Sequence, residues 1–184
     1  VYPMQDVRAQ NALIDTPLII LTALLLRWLV SLSGYSGQAT PPTYGDFEAQ
    51  RHWMEITLHL PLRDWYRNTP LNDLEYWGLD YPPLTAYVSL VCGWTCHWLE
   101  PASVALQTSR GYETDTHKAL MRFTVLFLDG LIYFPAAWAV ASCLSGGKAA
   151  TPQGATKKRI VFGLALLQPA LILIDHGHFQ VRAS

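Results

Sequence analysis

Four apolar runs alternate with polar stretches along the chain, at residues 17–33, 83–99, 123–144 and 160–174. A helix needs about 20 predominantly apolar residues to cross the hydrocarbon core of a bilayer. The first, third and fourth runs come close to that length and contain few charges, so they predict three transmembrane helices. We therefore expect an α-helical polytopic membrane protein.

The run at 83–99 has a different pattern. Hydroxyl side chains and a histidine interrupt it, and its large apolar side chains recur at helical spacing. They are Leu84, Tyr87, Val88, Val91, Trp94 and Trp98. This spacing is typical of an amphipathic helix. We expect the helix to lie at the membrane interface or to pack against protein, and not to span.

Charge indicates the orientation of the spans. Segment 146–159 contains four basic residues and no acidic residue, which is typical of a short cytoplasmic loop. Segment 34–118 contains ten acidic and five basic residues, which suits the opposite side of the membrane. One topology agrees with both charge counts. Its spans are at 17–33, 119–144 and 160–174. The loop 34–118 and the end 175–184 are then non-cytoplasmic, and the linker 145–159 is cytosolic.

Composition excludes several classes of protein. Apolar residues make up 51% of the chain and charged residues only 15%, compared with about 25% charged residues in soluble domains. The formal net charge of −1 leaves no basic stripe for nucleic acid. The three cysteines, Cys92, Cys96 and Cys143, lack the spacing of a zinc site and cannot form a paired disulfide framework. We expect no metal.

Two acidic side chains begin the polar loop. Asp46 and Glu48 follow a Pro-Pro and glycine turn signal and lie two residues apart. A carboxylate near the boundary of water and lipid can act as a general base, since partial burial can raise its pKa toward the working range. The same residues at the start of a helix could instead cap its free N–H groups. The pattern alone leaves both functions open.

The loop is also rich in aromatic residues. Trp53, Ile56 and Leu60 share one helical stripe after Asp46, and we expect this helix to lie along the membrane interface. The other aromatic side chains suit anchoring at the headgroup level and also suit stacking on sugars.

A second polar group follows the last apolar run, in the sequence DHGHFQ at 175–180. Two histidines near an aspartate could bind a metal or could be interfacial polar groups. Within the spans, Arg27 and Asp129 are costly unless they are paired or face a cavity. Arg27 is near enough to the end of its run to snorkel toward water, whereas Asp129 is expected to face other helices.

The motifs YGDFEAQRHWMEITLHLP, WGLDYPPLTAY, TSRGYE and DHGHFQ occur in this order between residues 44 and 180. Together they resemble the dolichyl-phosphate-glucose-dependent α-1,3-glucosyltransferases of the asparagine-linked glycosylation pathway. In EAQRHW and LTAY the chain is similar to the members that add the first glucose. The resemblance implies a module of the GT-C class, with interfacial helices in a luminal loop at 34–118, in the endoplasmic reticulum membrane.

The resemblance also implies the reaction. The donor is dolichyl phosphate glucose, and the acceptor is the terminal mannose of the dolichyl-diphosphate-linked high-mannose oligosaccharide. A β-linked donor and an α-1,3 product make the transfer inverting. Membrane lipid is a further partner, and no cofactor is needed. Asp46 of the GDFE motif is then the catalytic base. Substrate binding is expected from two groups of residues: Glu48, Arg51 and His52 in the first, and Asp175, His176, His178 and Gln180 in the second.

Several alternatives remain at this point. Members of the family continue beyond HFQ with further spans, so we expect residues 1–184 to form one partial, N-terminal membrane module that is inactive alone. The paralogous transferase of the second glucose, an inactive membrane fragment and a transporter-like subunit are the competing interpretations. An 85-residue aromatic loop with paired acids favours the transferase over the transporter.

Overall fold

A computed structural model of the protein describes residues 4–145 and 151–178. Its regular elements are helices. The principal ones are α1 (Met4–Ser31), α2 (Gly45–His59), α3 (Pro83–Leu99), α4 (Asp115–Leu128), α5 (Phe134–Leu144) and α6 (Pro152–Leu166). Two π-helical segments complete the apolar part of the chain: the first is Asp129–Tyr133 and the second is Ile172–His178.

The described residues form two compact units. Of the described residues, the helix unit contains 4–33, 125–145 and 151–177, and the loop unit contains 34–124 and 178. Each unit has its own hydrophobic core.

Small side chains bring the helices of the helix unit together. Ala23 of α1, Ala137 and Ala141 of α5, and Phe162 of α6 are all buried in one cluster. Alanine at a helix interface lets two backbones approach closely, which is how helices associate in lipid. Many large side chains of these helices are instead exposed, including Leu21 at 63% and Leu164 at 71%. An apolar exterior around helix contacts made in part by alanine is the arrangement expected in a bilayer.

Two helical stretches are long and apolar enough to cross a membrane, Asp115–Leu144 and Pro152–Gly177, judged by length and composition alone. The apolar part of α1, Thr16–Ser31, is shorter. The predicted linker over 145–159 is helical in its second half, because α6 begins at Pro152. Thr151 caps this helix by accepting a hydrogen bond from the Gly154 N–H at 3.2 Å. A Thr-Pro pair is typical of the start of a helix. The prediction did not use it, because it was based on the basic residues of segment 146–159.

The loop unit is built around α2. Trp53 and Ile56 are buried in its core, and the residues of α2 from Phe47 to Thr57 are almost all buried. The α2 helix is therefore covered by protein on nearly every face, which an amphipathic helix with one exposed apolar stripe would not be. Trp53 donates its indole N–H to the Trp77 carbonyl at 2.9 Å, so this aromatic residue is a core residue and not a surface anchor.

The predicted amphipathic helix 83–99 is confirmed as α3, with the same bounds. Its small and polar side chains face inward, among them Ala86, Ser89 and Cys96, and they pack against α2. Its large apolar side chains form an exposed ridge, defined by Leu84, Tyr87, Val91, Trp94 and Trp98. The helix is not among the described stretches that are long and apolar enough to span a membrane.

Candidate active site

Asp46 lies in the first turn of α2, as the second residue of the helix. Its side chain is partly exposed, and its carboxylate has no hydrogen-bond partner within the part of the chain that the structure describes. The residue before the helix, Tyr44, makes no side-chain cap. Asp46 therefore does not act as a hydrogen-bonding cap. A negative charge in the first turn still interacts favourably with the helix dipole.

A tight turn leads the chain to Asp46. Gly37 and Gly45 have left-handed backbone conformations, with φ of 75° and 68°. A β-carbon on Gly37 would collide with the Tyr44 carbonyl group, and one on Gly45 would lie 2.8 Å from the α-carbon of Gly37. Glycine alone combines this backbone conformation with such close approach. The position of Asp46 is therefore set by backbone contacts immediately before it.

One face of α2 carries an ionic cluster, which we define as Glu48, Arg51 and Glu55. Arg51 donates to both oxygens of Glu48, from Nε and Nη2, at 2.7 Å each, and Nη2 also donates to Glu55 Oε2 at 2.7 Å. All three side chains are buried. Their spacing at i, i+3 and i+7 places them on the same side of the helix. One guanidinium thus bridges two carboxylates inside the loop unit.

Distant parts of the loop unit complete the hydrogen bonding of the ionic cluster. The Tyr76 hydroxyl donates to Glu48 at 2.9 Å, and the Gln107 N–H donates to Glu55 at 2.6 Å. Ser109 Oγ accepts from Arg51 Nη1 at 2.5 Å. The cluster therefore connects α2 with Tyr76, directly before the WGLDYPP motif, and with Ser109 of the TSRGYE motif, up to about 60 residues further along the chain.

These contacts shift the ionisation of the cluster. Burial opposes charge on Glu55, but the hydrogen bond from His52, the charge of Arg51 and the Gln107 N–H outweigh it and lower the pKa of Glu55 to about 2. Burial and the neighbouring Glu48 carboxylate raise the pKa of Tyr76, so its hydroxyl keeps its proton and remains a donor. The Glu55 carboxylate is therefore charged and is held by fixed donors.

The geometry revises the expected role of the residues that follow Asp46. Glu48, Arg51 and His52 were predicted to contact substrate, yet they are at most 2% exposed. Glu48 and Arg51 form hydrogen bonds with each other and with other side chains of the loop unit. His52 places Nδ1 3.3 Å from Glu55 Oε2; its buried Nε2 has no partner among the described residues. The three side chains are enclosed by the loop unit and support α2 from inside.

In the helix unit, the structure joins residues that the sequence suggested separately. Arg27 is buried and its Nε donates to Asp129 Oδ2 at 2.6 Å. Of the two alternatives left open for Arg27, pairing is the one observed, because a carboxylate from another helix binds it and it does not snorkel toward water. Asp129 faces other helices, as predicted. His176, also buried, places Nε2 3.0 Å from the same oxygen of Asp129.

The remaining predicted site residues are described in part. Asp175 is exposed in the second π-helical segment. His178 is described only in its backbone, and Gln180 lies outside the described residues. Within the described ranges, no group of three or more His, Cys, Asp or Glu side chains is arranged to hold a metal ion.

Sequence reasoning missed three residues of this site: Glu55, Tyr76 and Ser109. A signal for Glu55 was available, since Glu48, Arg51, His52 and Glu55 follow the i, i+3, i+4, i+7 spacing of one helix face. No local signal identifies Tyr76 or Ser109, because each reaches α2 across a long intervening loop.

Comparison with known proteins identifies related sequences. The model of the ALG6, ALG8 glycosyltransferase family matches residues 23–182. The dolichyl pyrophosphate Man9GlcNAc2 alpha-1,3-glucosyltransferase of Mus musculus is 54% identical over 166 residues, which cover 90% of this chain and 31% of that protein. The protein of the same name from Saccharomyces cerevisiae is 46% identical over 184 residues, which cover 99% of this chain and 32% of that protein. The chain thus spans about a third of the length of these relatives.

Proposed function

The chain belongs to the ALG6, ALG8 glycosyltransferase family, and from this premise we propose that the protein is an inverting glucosyltransferase of N-glycosylation. It moves glucose from dolichyl phosphate glucose onto the terminal mannose of the dolichyl-linked oligosaccharide, in α-1,3 linkage. The names of the Mus musculus and Saccharomyces cerevisiae relatives support the acceptor and the linkage. The donor follows from the family resemblance of the sequence motifs.

Asp46 is the proposed catalytic base. Inverting transfer requires the acceptor hydroxyl to lose its proton while it attacks the face opposite the leaving phosphate. One carboxylate within ~2.6–3.2 Å of that hydroxyl is sufficient. The departing dolichyl phosphate is stable as an anion, so no general acid is required, in contrast to glycoside hydrolysis. The observation that carries the proposal is the partly exposed Asp46 carboxylate, which has no hydrogen-bond partner among the described residues.

The ionic cluster holds the helix that presents this base. Its contacts tie α2 to the segments around Tyr76 and Ser109, so the first turn of α2 cannot shift without breaking charged hydrogen bonds. A base displaced by 1 Å can lose about 100-fold in rate. A rigid support is therefore part of what the proposed chemistry needs.

The sequence assigned Asp175, His176, His178 and Gln180 to a second substrate-binding group. We retain Asp175, His178 and Gln180 in this role, whereas His176 is 1% exposed and acts through its neighbours. Asp175 is exposed and so is available to a polar ligand, while His176 is held by Asp129. We propose a multi-pass location in the endoplasmic reticulum membrane, with the loop 34–118 and residues 175–184 in the lumen. The apolar stretches Asp115–Leu144 and Pro152–Gly177 support a membrane location.

The test is Asp46→Asn in the protein expressed at full length, assayed with dolichyl phosphate glucose and a nonglucosylated lipid-linked acceptor. The amide keeps the shape of the side chain but removes its basicity, so kcat should fall ~10²-fold or more while donor binding is retained. Glu75→Gln, an exposed acid of the same unit, is the matched control and should stay within ~2-fold of wild type. Near-normal turnover by a folded, donor-bound Asp46→Asn protein would refute Asp46 as the base. Absence of glucosyl transfer by the wild-type protein would refute the proposed function itself.

A further inference from the structure

The last turn of α6 is a weak point in the helix unit. The helix ends at Leu166 and the chain continues with Gln168 in an extended conformation before Pro169. Proline has no N–H to donate and disfavours a helical conformation in the residue before it. The Leu166 carbonyl therefore has no backbone donor among the described residues, and the Ala165 carbonyl keeps a long backbone contact, 3.4 Å from the Gln168 nitrogen. Buried carbonyl groups without partners are costly.

Two side chains from outside α6 donate to these carbonyl groups. Arg27 Nη1 donates to the Leu166 carbonyl at 2.8 Å, and the Tyr133 hydroxyl donates to the Ala165 carbonyl at 2.7 Å. Arg27 also packs its guanidinium over the Phe134 ring, 5.1 Å from the centroid. The arginine of α1 is thus placed at the helix break by hydrogen bonding and by stacking.

From this position Arg27 forms a hydrogen bond with Asp129, and Asp129 forms one with His176. Both contacts use the same oxygen, Oδ2, at 2.6 Å from Arg27 and 3.0 Å from His176. A carboxylate only accepts hydrogen bonds, so His176 Nε2 is the donor in this contact. Arg27 and His176 are each 1% exposed and the Asp129 side chain is 16% exposed. The interaction is consequently little screened by water.

Asp129 and His176 lie in the first and second π-helical segments, respectively. A π-helical turn changes the direction of the side chains that follow it, and such turns are frequent at functional sites. The hydrogen bond between these residues therefore ties one irregular segment to the other. Asp175, the exposed neighbour of His176, lies in the segment that is tied.

We propose that Arg27 and Asp129 are positioning residues, which act through His176 to fix the conformation of the segment Ile172–His178 and hence the presentation of Asp175 to the substrate. This inference rests on the proposed function. It assigns a catalytic consequence to an ion pair that touches no reacting atom. The essential feature is the acceptor oxygen that Asp129 offers to His176, and Arg27 orients that oxygen.

A purely structural ion pair would behave differently. Replacing both partners of a buried ion pair by uncharged groups of similar volume is often neutral for stability, whereas removing one partner strands a charge. A neutral pair can therefore preserve the fold while the hydrogen bond to His176 is either kept or lost. This difference separates a positioning role from a stabilising one.

The experiment compares two neutral double variants of the full-length protein, Arg27→Met/Asp129→Asn and Arg27→Met/Asp129→Leu. Asparagine and leucine have the same branched arrangement of side-chain heavy atoms, but only asparagine retains an oxygen that can accept from His176. Both variants should give folded, monodisperse protein in detergent. The Asn variant should keep kcat within ~5-fold of wild type, whereas the Leu variant should lose ~10- to 100-fold, mainly in kcat, because the segment is misplaced.

Two further measurements test the route of the effect. Adding His176→Gln should cost little in the Leu background and ~10-fold or more in the Asn background, because residues that act as one unit are not additive. Tyr133→Phe removes a donor at the same helix break without touching His176, and it should leave kcat within ~3-fold of wild type.

Equal activity of the two double variants would overturn the inference, whether both are active or both are lost. A full additional loss from His176→Gln in the Leu background would overturn it as well. If wild type itself transfers no glucose, the proposed function has failed, and the two failures are distinguishable because all comparisons are made relative to wild-type turnover.

Discussion

Replacing Arg51 by methionine should open the loop unit, because the two carboxylates of the ionic cluster would lose the cation between them. Methionine keeps much of the volume and apolar contact of the arginine stem but carries no donor. The variant strands Glu48 and Glu55, which are at most 2% exposed. No other change in the cluster removes so many contacts at once, since Arg51 also donates to the Ser103 carbonyl at 3.2 Å.

Two estimates of the cost agree. Breaking a buried ion pair by removing one partner typically costs about 3–5 kcal/mol. A stranded carboxylate can instead take up a proton, and protonating an ordinary glutamate at pH 7 costs about 3.7 kcal/mol. We therefore expect the loop unit to lose about 4 kcal/mol of stability, a large part of what a small unit possesses.

The thiol of Cys96 reports this loss. Cys96 is fully buried between α3 and α2, with its sulfur 3.9 Å from that of Met54, and burial raises the pKa of its thiol to about 12. Reaction with a maleimide requires opening of the unit. Each 1.36 kcal/mol changes the opening equilibrium tenfold, so labelling of the Cys96 peptide, followed by mass spectrometry, should accelerate ~10²- to 10⁴-fold in Arg51→Met.

Two control variants make the result decisive. Arg63→Met removes an exposed arginine whose Nε lies 3.7 Å from Asp64, and it should change labelling by less than ~2-fold, since exposed pairs contribute little. The triple variant Arg51→Met/Glu48→Gln/Glu55→Gln carries no stranded charge and should recover most of the protection. Labelling of Arg51→Met within ~5-fold of wild type would refute the reasoning.

Three further predictions concern acid stability, topology and membrane insertion. The pKa of Glu55 in the folded state, about 2, lies below its unfolded value near 4.3; this stabilisation of about 3 kcal/mol is complete above the unfolded pKa and is lost as pH falls from about 4.5 to 2. Tryptophan fluorescence should therefore show a shallower acid dependence for Glu55→Gln than for wild type. An engineered glycosylation site near Asn72 should be modified and one near Gln153 should not; the reverse pattern would invert the proposed topology. The isolated segment Pro83–Leu99 should integrate poorly in a translocon assay, because its hydroxyls and histidine would face lipid, and efficient integration would contradict the interfacial prediction.

Helix positions were predictable where the pattern of apolar residues is local. The bounds of α3 follow from proline at its start and apolar spacing along it, and Asp46 was expected at the start of α2. The first turn of α6 was not predicted, because four basic residues suggested a linker where Thr151 and Pro152 in fact begin a helix. Charge reports the side of the membrane and does not report secondary structure.

The contacts that determine the roles of the site residues were not predictable in the same way. Arg27 and Asp129 are 102 residues apart in sequence, and their pairing depends on how three helices pack. The burial of Glu48 and Arg51 depends on Tyr76 and Ser109, which belong to other segments of the chain. A single sequence indicates that a buried charge needs a partner, but the identity of the partner depends on the tertiary fold.

The turn formed by Gly37 and Gly45 has a consequence for reading genetic variation in this family. Any side chain at either position would meet backbone atoms and would demand a strained conformation, so such alleles should be lost as completely as alleles of Asp46. A screen that measures only growth or glycan occupancy would give alleles of these glycines the same score as alleles of Asp46. Measuring the amount of folded enzyme for each allele separates the two classes, since turn alleles lower abundance and base alleles lower the activity of each molecule.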